Sequence, residues 1–155
     1  MKSYTLLALT LFLTSCSFST ETTLKEKELE HYQSESMKTL GLPFSDAVIV
    51  DDIIYLSGQV GNLPGTLDLA PGGLQGEAKQ AIENMKAVLE ANGSSLDDVI
   101  KVTVMMADID EWGEFNKEYI KYFTAEKKPA RSAFGTSGLA LGARLEIECI
   151  ALKRK

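Results

Sequence analysis

The sequence predicts an α+β domain in which a mixed β-sheet carries two helices on one face. Two observations about its parts support this fold class: several short apolar runs alternate or are rich in β-branched residues, and two longer stretches place apolar residues at helical spacing. A third observation is the order of the predicted elements along the chain, β-β-α-β-α-β-β. A sheet covered on one face leaves the other open, and identical subunits often cover such a face. The pattern therefore also favours a homo-oligomer.

A hairpin begins this series of elements. The apolar runs Ala47–Val50 and Ile53–Leu56 are separated only by Asp51 and Asp52, which predicts two antiparallel strands and a tight turn. The stretch that follows, LPGTLDLAPGG (residues 63–73), is rich in Gly and Pro and predicts a loop.

The first helix is predicted from a stripe of apolar residues, and Asn92-Gly93 marks its end. The stripe consists of Ala78, Ala81, Ile82, Met85, Val88 and Leu89. The β-branched run DVIKVTVMMADI (residues 98–109) then predicts a central strand.

The second helix is predicted from aromatic residues at near-helical spacing, with Asp110 as its N-cap. They are Trp112, Phe115, Tyr119, Tyr122 and Phe123. We interpret this stripe as part of the core rather than as a ligand site. After Pro129, ARSAFGT (residues 130–136) predicts an extended strand, and the alternating ARLEIECIALK (residues 143–153) predicts the last one.

The N-terminus has the layout of a secretory signal, with Lys2 followed by an apolar run that ends at Leu13. The run is shorter than the roughly 20 residues that span a bilayer. Leu13-Thr14-Ser15-Cys16 resembles the lipobox of bacterial lipoproteins, which implies that residues 1–15 are removed and that Cys16 is acylated. Ser17, rather than Asp, implies attachment to the outer membrane, facing the periplasm. The alternative is an ordinary signal with an incidental cysteine.

Residues 16–38 are polar and charged and predict a flexible tether, so the folded domain is expected at residues 39–155. His31, the only histidine, falls in the tether and is expected to be solvated. Cys149 is expected to be a small buried residue of the last strand. Without a cluster of His and Cys, we expect no metal site.

The charge balance argues against a nucleic-acid-binding protein. After residues 1–15 are removed, the chain has 15 basic and 22 acidic side chains, which is a net side-chain charge of −7, and it has no basic stripe.

Five motifs, in this order and spacing, resemble the RidA (reactive intermediate deaminase) family, also called YjgF or UK114. They are YLSGQVG, AIENMKAVLEANGSSLDDVIKVTVMMADI, FNKEYIKYF, PARSAFG and GARLEIECIAL, within residues 42–152. The resemblance implies a chorismate-mutase-like α+β fold and a homotrimer with ligand clefts between subunits. It also implies hydrolysis of 2-iminobutanoate and 2-iminopropanoate to 2-keto acids and ammonia, with water as cosubstrate and no cofactor.

Two residues carry the catalytic roles that this resemblance implies. Arg131 of PARS matches the family's carboxylate-binding arginine, and a guanidinium can hold a carboxylate through two parallel hydrogen bonds. Glu146 of LEIE matches the family's glutamate, a general acid/base that orients water and exchanges protons with the departing nitrogen. A structural ion pair is the alternative for each. Glu148 lies two residues further along and shares the face of Glu146.

Further positions match the family cleft, and some depart from it. Ser57 and Gly58 of LSGQ match cleft-lining positions, as does Asn116, for which simple exposure on a helix is the alternative. Phe44 stands where deaminases commonly have a tyrosine, and Ala133 replaces a cleft cysteine while keeping its backbone N–H. The proline-lysine turn before the last strand becomes LALGAR (residues 139–144).

The sequence thus predicts a lipid-anchored imine deaminase that binds small 2-imino and 2-keto acids and no nucleic acid. A non-catalytic module that binds small carboxylates is the main alternative, because Phe44 and the altered turn could remove turnover while Arg131 is kept. An endoribonuclease or translation inhibitor fits the acidic, exported chain less well.

Overall fold

A computed structural model describes residues 28–124 and 126–154. The predicted signal, Cys16 and most of the predicted tether lie outside the described residues. The helices are α1 (Glu35–Leu40), α2 (Gly73–Ala91) and α3 (Trp112–Tyr119). The strands are β1 (Leu29–Tyr32), β2 (Ala47–Val50), β3 (Ile53–Val60), β4 (Val99–Met106), β5 (Ala130–Gly135) and β6 (Leu145–Leu152).

The strands form one sheet in the order β1-β2-β3-β6-β4-β5. β4 and β5 are parallel and the other neighbours are antiparallel, so the sheet is mixed. The predicted α+β fold class and the order β-β-α-β-α-β-β are both confirmed for β2 to β6. Cys149 is buried in β6, as expected.

The start of the folded domain was predicted too late. Residues 29–40, assigned to the tether up to residue 38, contain β1 and α1. β1 pairs with β2, from Leu29 opposite Val50 to Tyr32 opposite Ala47. The backbone N–H of Ser34 donates to Asp46 Oδ2 over 2.7 Å. A four-residue strand is stabilised by its partner strand rather than by its own composition. The polar composition of residues 29–32 therefore did not indicate a strand.

The start of α3 also differs from the prediction. Residues Ile109–Glu111 form a 3₁₀ turn, and Asp108, not Asp110, caps it. The Asp108 carboxylate accepts a hydrogen bond from the Asp110 N–H at 2.9 Å. Asp108 thus caps the 3₁₀ turn, and the residue before α3, Glu111, makes no side-chain capping bond to the helix.

The core lies between the sheet and the helices. Along β4, Val102, Val104 and Met106 are fully buried, whereas the residues between them are partly exposed on the other face. The buried stripe of α2, from Leu74 to Leu89, contains every residue predicted for it. The other face of the sheet, here called the open face, exposes about half of the side chains of Tyr55 and Phe134.

Candidate functional site

The sheet separates the two predicted catalytic residues. Arg131 of β5 lies opposite Val102 of β4, whereas Glu146 of β6 lies opposite Met105. Directly opposed residues point to the same face, and residues an odd number apart on a strand point to opposite faces. Since Val102 and Met105 are three apart, Arg131 lies on the helix face and Glu146 on the open face.

Glu146 lines a cavity of about 430 Å³, here called the Glu146 cavity. Phe44 and Gly58 line it too, so three of the predicted site residues meet there. β2 pairs with β3 only as far as Leu56, which leaves residues 57–60 of β3 free of that neighbour beside the cavity. The remaining wall is mostly apolar and includes Met37, Leu40, Leu42, Leu67 and Leu141.

Gly58 is required by the close approach of Glu146. A Cβ on residue 58 would lie 1.7 Å from Glu146 Oε1 and 2.6 Å from its carboxyl carbon. Only a residue without a side chain lets the carboxyl group lie directly against the β3 backbone. The SGQ motif thus determines where the Glu146 carboxyl group sits.

The half-buried position of Glu146 favours its neutral form. Burial raises the pKa of the Glu146 carboxyl above its usual range, and repulsion from Glu148 raises it further. Both residues lie on the open face of β6, as their spacing predicts.

Arg131 lies over three aromatic rings of α3, here called the Arg131 platform. Its Cζ is 4.4 Å from the ring centroid of Tyr119, 5.7 Å from that of Trp112 and 5.8 Å from that of Phe115. Each distance is within the range of a cation–π interaction. Among residues 28–124 and 126–154, no carboxylate lies within ion-pair distance of the Arg131 guanidinium. A half-buried cation held by rings keeps its N–H groups available for an incoming anion.

The other predicted residues divide between these two regions. The Ser57 hydroxyl donates to the Ser45 carbonyl at 2.7 Å, so the backbone already satisfies it, and Gly58 rather than Ser57 lines the cavity. Asn116 is half-buried on α3, the helix of the Arg131 platform. Ala133 lies two residues after Arg131 on the same face and packs against the core.

The structure adds functional candidates that the sequence analysis missed. The aromatic stripe was assigned to the core, yet Trp112 is 45% exposed and contacts Arg131. Leu141 lines the Glu146 cavity with a left-handed φ of 61°, an unusual backbone conformation for a leucine. The exposure of Trp112 follows from the structure and not from the spacing of the stripe. No sequence pattern marked Leu141.

The turn before β6 is fixed by a buried carboxylate. Glu77 of α2 accepts a hydrogen bond from the Arg144 N–H at 2.8 Å and is only 6% exposed. The Arg144 side chain pairs with Glu111, just before α3. These bonds connect the strand that carries Glu146 to the helix that carries the platform.

Metal sites and membrane-spanning helices can be assessed for the described part of the chain. It contains no cluster of three or more His, Cys, Asp or Glu side chains suited to a metal ion. Within it, each helix is too short or too polar to cross a membrane.

Comparisons with known proteins agree on one family. A family model described as Endoribonuclease L-PSP matches residues 35–153. A mouse (Mus musculus) protein named 2-iminobutanoate/2-iminopropanoate deaminase is 45% identical over 111 residues, which are 72% of this chain and 82% of the mouse protein.

Solved structures extend the likeness to the fold. The yeast protein YEO7 is 41% identical, with a TM-score of 0.76, over 82% of this chain and 100% of that one. E. coli TdcF, solved with bound serine, is 32% identical, with a TM-score of 0.67, over 73% of this chain and 90% of its own.

Proposed function

Because the chain belongs to the RidA/YjgF/UK114 family, whose model is described as Endoribonuclease L-PSP, we propose that it is an imine deaminase. It would convert 2-imino acids of the 2-iminobutanoate and 2-iminopropanoate type to 2-keto acids and ammonia. The observation that carries the proposal is Arg131, a half-buried guanidinium on an aromatic platform with no carboxylate within ion-pair distance in the described part of the chain.

The chemistry divides between the two residues. Arg131 binds the substrate carboxylate and so fixes the neighbouring C=N group. Water adds across the C=N bond, its oxygen to the carbon and one proton to the nitrogen, to give a carbinolamine. The hydroxyl proton then passes to the nitrogen as the C–N bond breaks, which forms the keto C=O and releases ammonia. Glu146 orients the water and carries these protons. Burial and repulsion from Glu148 raise its pKa, which makes the carboxylate a stronger proton acceptor.

This division requires a site shared between subunits. A 2-imino acid has its carboxylate bonded to the imine carbon, so Arg131 and Glu146 must approach the same small molecule. Within one chain they point to opposite faces of the sheet. We therefore propose a homotrimer in which Arg131 of one subunit meets Glu146 of its neighbour. Tyr55, Phe134 and Leu152 expose much of their apolar surface on the open face, which assembly would bury.

Sedimentation can test the assembly separately from activity. The soluble form without Cys16, residues 17–155, should sediment as a trimer at micromolar concentration. A monomer under these conditions would contradict both the trimer and the shared cleft.

Location is a further part of the proposal. Cleavage before Cys16 and acylation of its sulfur would attach the protein to a bacterial membrane, with the outer membrane, facing the periplasm, favoured by Ser17. Cys16→Ser should abolish lipid labelling and release the protein from membranes or block its maturation. Unchanged labelling and fractionation would exclude the anchor.

The activity itself is tested by generating the imine substrate within the assay mixture. An amino-acid oxidase acting on L-2-aminobutyrate produces 2-iminobutanoate, and 2-oxobutanoate release is followed with and without the protein. We expect faster release with the wild type and no acceleration with Arg131→Ala. Binding of 2-oxobutanoate without faster release would favour the carboxylate-binding module instead.

A further inference from the structure

The ring nearest to Arg131 belongs to Tyr119, which the proposed chemistry does not use. Trp112, Phe115 and Tyr119 are spaced three and four residues apart, so they share one face of α3. The guanidinium lies 4.4 Å from the Tyr119 centroid and more than 1 Å farther from each of the other two. Tyr119 is therefore the main ring contact of Arg131.

Arg131 needs such a support because of its place in the fold. It lies on β5, which among the described residues is the last strand of the sheet and pairs with β4 alone. A long side chain on an edge strand has many rotamers, and binding a carboxylate in one geometry costs conformational entropy. A ring lying against the guanidinium removes much of that freedom before the ligand arrives.

Tyr119 is itself held rigidly. It is 6% exposed, stacks on Phe123 with ring centroids 4.4 Å apart, and contacts Phe115 at 5.5 Å. Its hydroxyl is buried, forms no hydrogen bond of standard geometry within the described residues, and lies near the Arg131 guanidinium. Burial raises the pKa of Tyr119 to about 12, although the Arg131 charge opposes the rise. The phenol therefore stays neutral near pH 7, so it does not neutralise the positive charge of Arg131.

We propose that Tyr119 is a positioning residue whose ring holds the Arg131 guanidinium ready for the substrate carboxylate. The inference rests on the proposed function, in which Arg131 binds that carboxylate. A ring against the face of the guanidinium leaves the N–H groups at its edge available for two parallel hydrogen bonds. Loss of the ring should weaken ligand binding more than it slows the chemical step.

The test compares the loss of the ring with the loss of the hydroxyl alone. Tyr119→Leu should weaken 2-oxobutanoate binding, measured by calorimetry, about tenfold, and should raise KM for 2-iminobutanoate by a similar factor. The value of kcat at saturation should change less than about threefold. Tyr119→Phe keeps the ring and should recover most of the binding lost in Tyr119→Leu.

Ile54→Ala is the control for core damage. It removes a fully buried apolar side chain from β3, which β6 and β4 separate from the strand that carries Arg131. It should lower Tm at least as much as Tyr119→Leu while changing Kd much less.

Each outcome bears on a stated claim. Unchanged Kd in folded Tyr119→Leu, equal losses of binding in Tyr119→Leu and Ile54→Ala, or a Tyr119→Phe variant as weak as Tyr119→Leu would overturn the positioning role. A wild type that binds 2-oxobutanoate but releases none from the imine would contradict the deaminase and leave the binding comparison valid. A wild type that neither binds nor hydrolyses would contradict both.

Discussion

The Glu146 cavity and the Arg131 platform are built in different ways. The platform comes from one helix and the strand that follows it, residues 112–131, so its parts are close in sequence. The cavity gathers residues from the N-terminal segment, β3, α2 and β6, more than 100 positions apart. The platform holds a cation without a carboxylate partner in the described part of the chain, whereas the cavity holds a carboxyl group whose pKa is raised above its usual range. The platform is suited to binding the substrate carboxylate and the cavity to proton transfer, so neither region can complete the proposed reaction alone.

The largest expected effect on activity comes from removing the Arg131 side chain from the platform. Arg131→Ala should reduce kcat/KM for 2-iminobutanoate by about a hundredfold or more, because the substrate carboxylate loses its fixed cation. Arg131→Lys should restore little, since an ammonium lacks the planar fork. Arg154→Ala is a suitable control, because Arg154 is exposed and pairs with Asp98. A wild-type rate in Arg131→Ala would show that the carboxylate is held elsewhere.

A change in the cavity should affect turnover rather than binding. Glu146→Gln should lower kcat by about a hundredfold, since an amide can hold water but cannot carry a proton. Its Kd for 2-oxobutanoate should stay within about threefold of the wild type. Glu90→Gln, on the exposed surface of α2, should change neither value. Loss of binding in Glu146→Gln would contradict the separation of roles.

A smaller effect is expected when the Glu146 carboxyl is displaced rather than removed. In Gly58→Ala the new methyl group overlaps Glu146 Oε1, so the carboxyl must move. We expect kcat to fall about tenfold, because a shift of about 1 Å disrupts catalytic geometry. Gly113→Ala is the matched control, since a Cβ there meets no atom within 4 Å. Equal kcat in Gly58→Ala and the wild type would mean that the placement of Glu146 is not critical.

The smallest expected effect is a change in pH dependence. Glu148 repels Glu146 and so raises its pKa, and Glu148→Gln should lower that pKa. The limb of the kcat/KM profile that reports Glu146 should therefore move to lower pH. The limb would stay in place if a different group controlled the profile.

The two regions also differ in how far the sequence predicts them. Arg131, Glu146, Gly58 and Phe44 were identified from motifs, and the hairpin, both main helices and the last strand follow from periodicity. The platform was missed because aromatic residues at helical spacing are typical of a core, and Phe115 and Tyr119 are indeed buried.

Non-local contacts explain the remaining differences. β1 is stabilised by pairing with β2, and the polar composition of residues 29–32 conceals it. Leu141 enters the cavity wall because its turn has a left-handed backbone, which no local pattern requires of leucine. The separation of Arg131 and Glu146 onto opposite faces depends on strand register, which motif spacing does not reveal.

Complementation between two inactive variants tests the shared site most directly. Arg131→Ala subunits keep Glu146, and Glu146→Gln subunits keep Arg131. Random mixed trimers made by coexpression in equal amounts would therefore contain intact sites at about a quarter of their interfaces. We predict that the mixture recovers about a quarter of wild-type activity while each variant alone stays inactive. Mixed trimers that form, as native mass spectrometry would show, but recover no activity would contradict a site shared between Arg131 and Glu146 of neighbouring subunits.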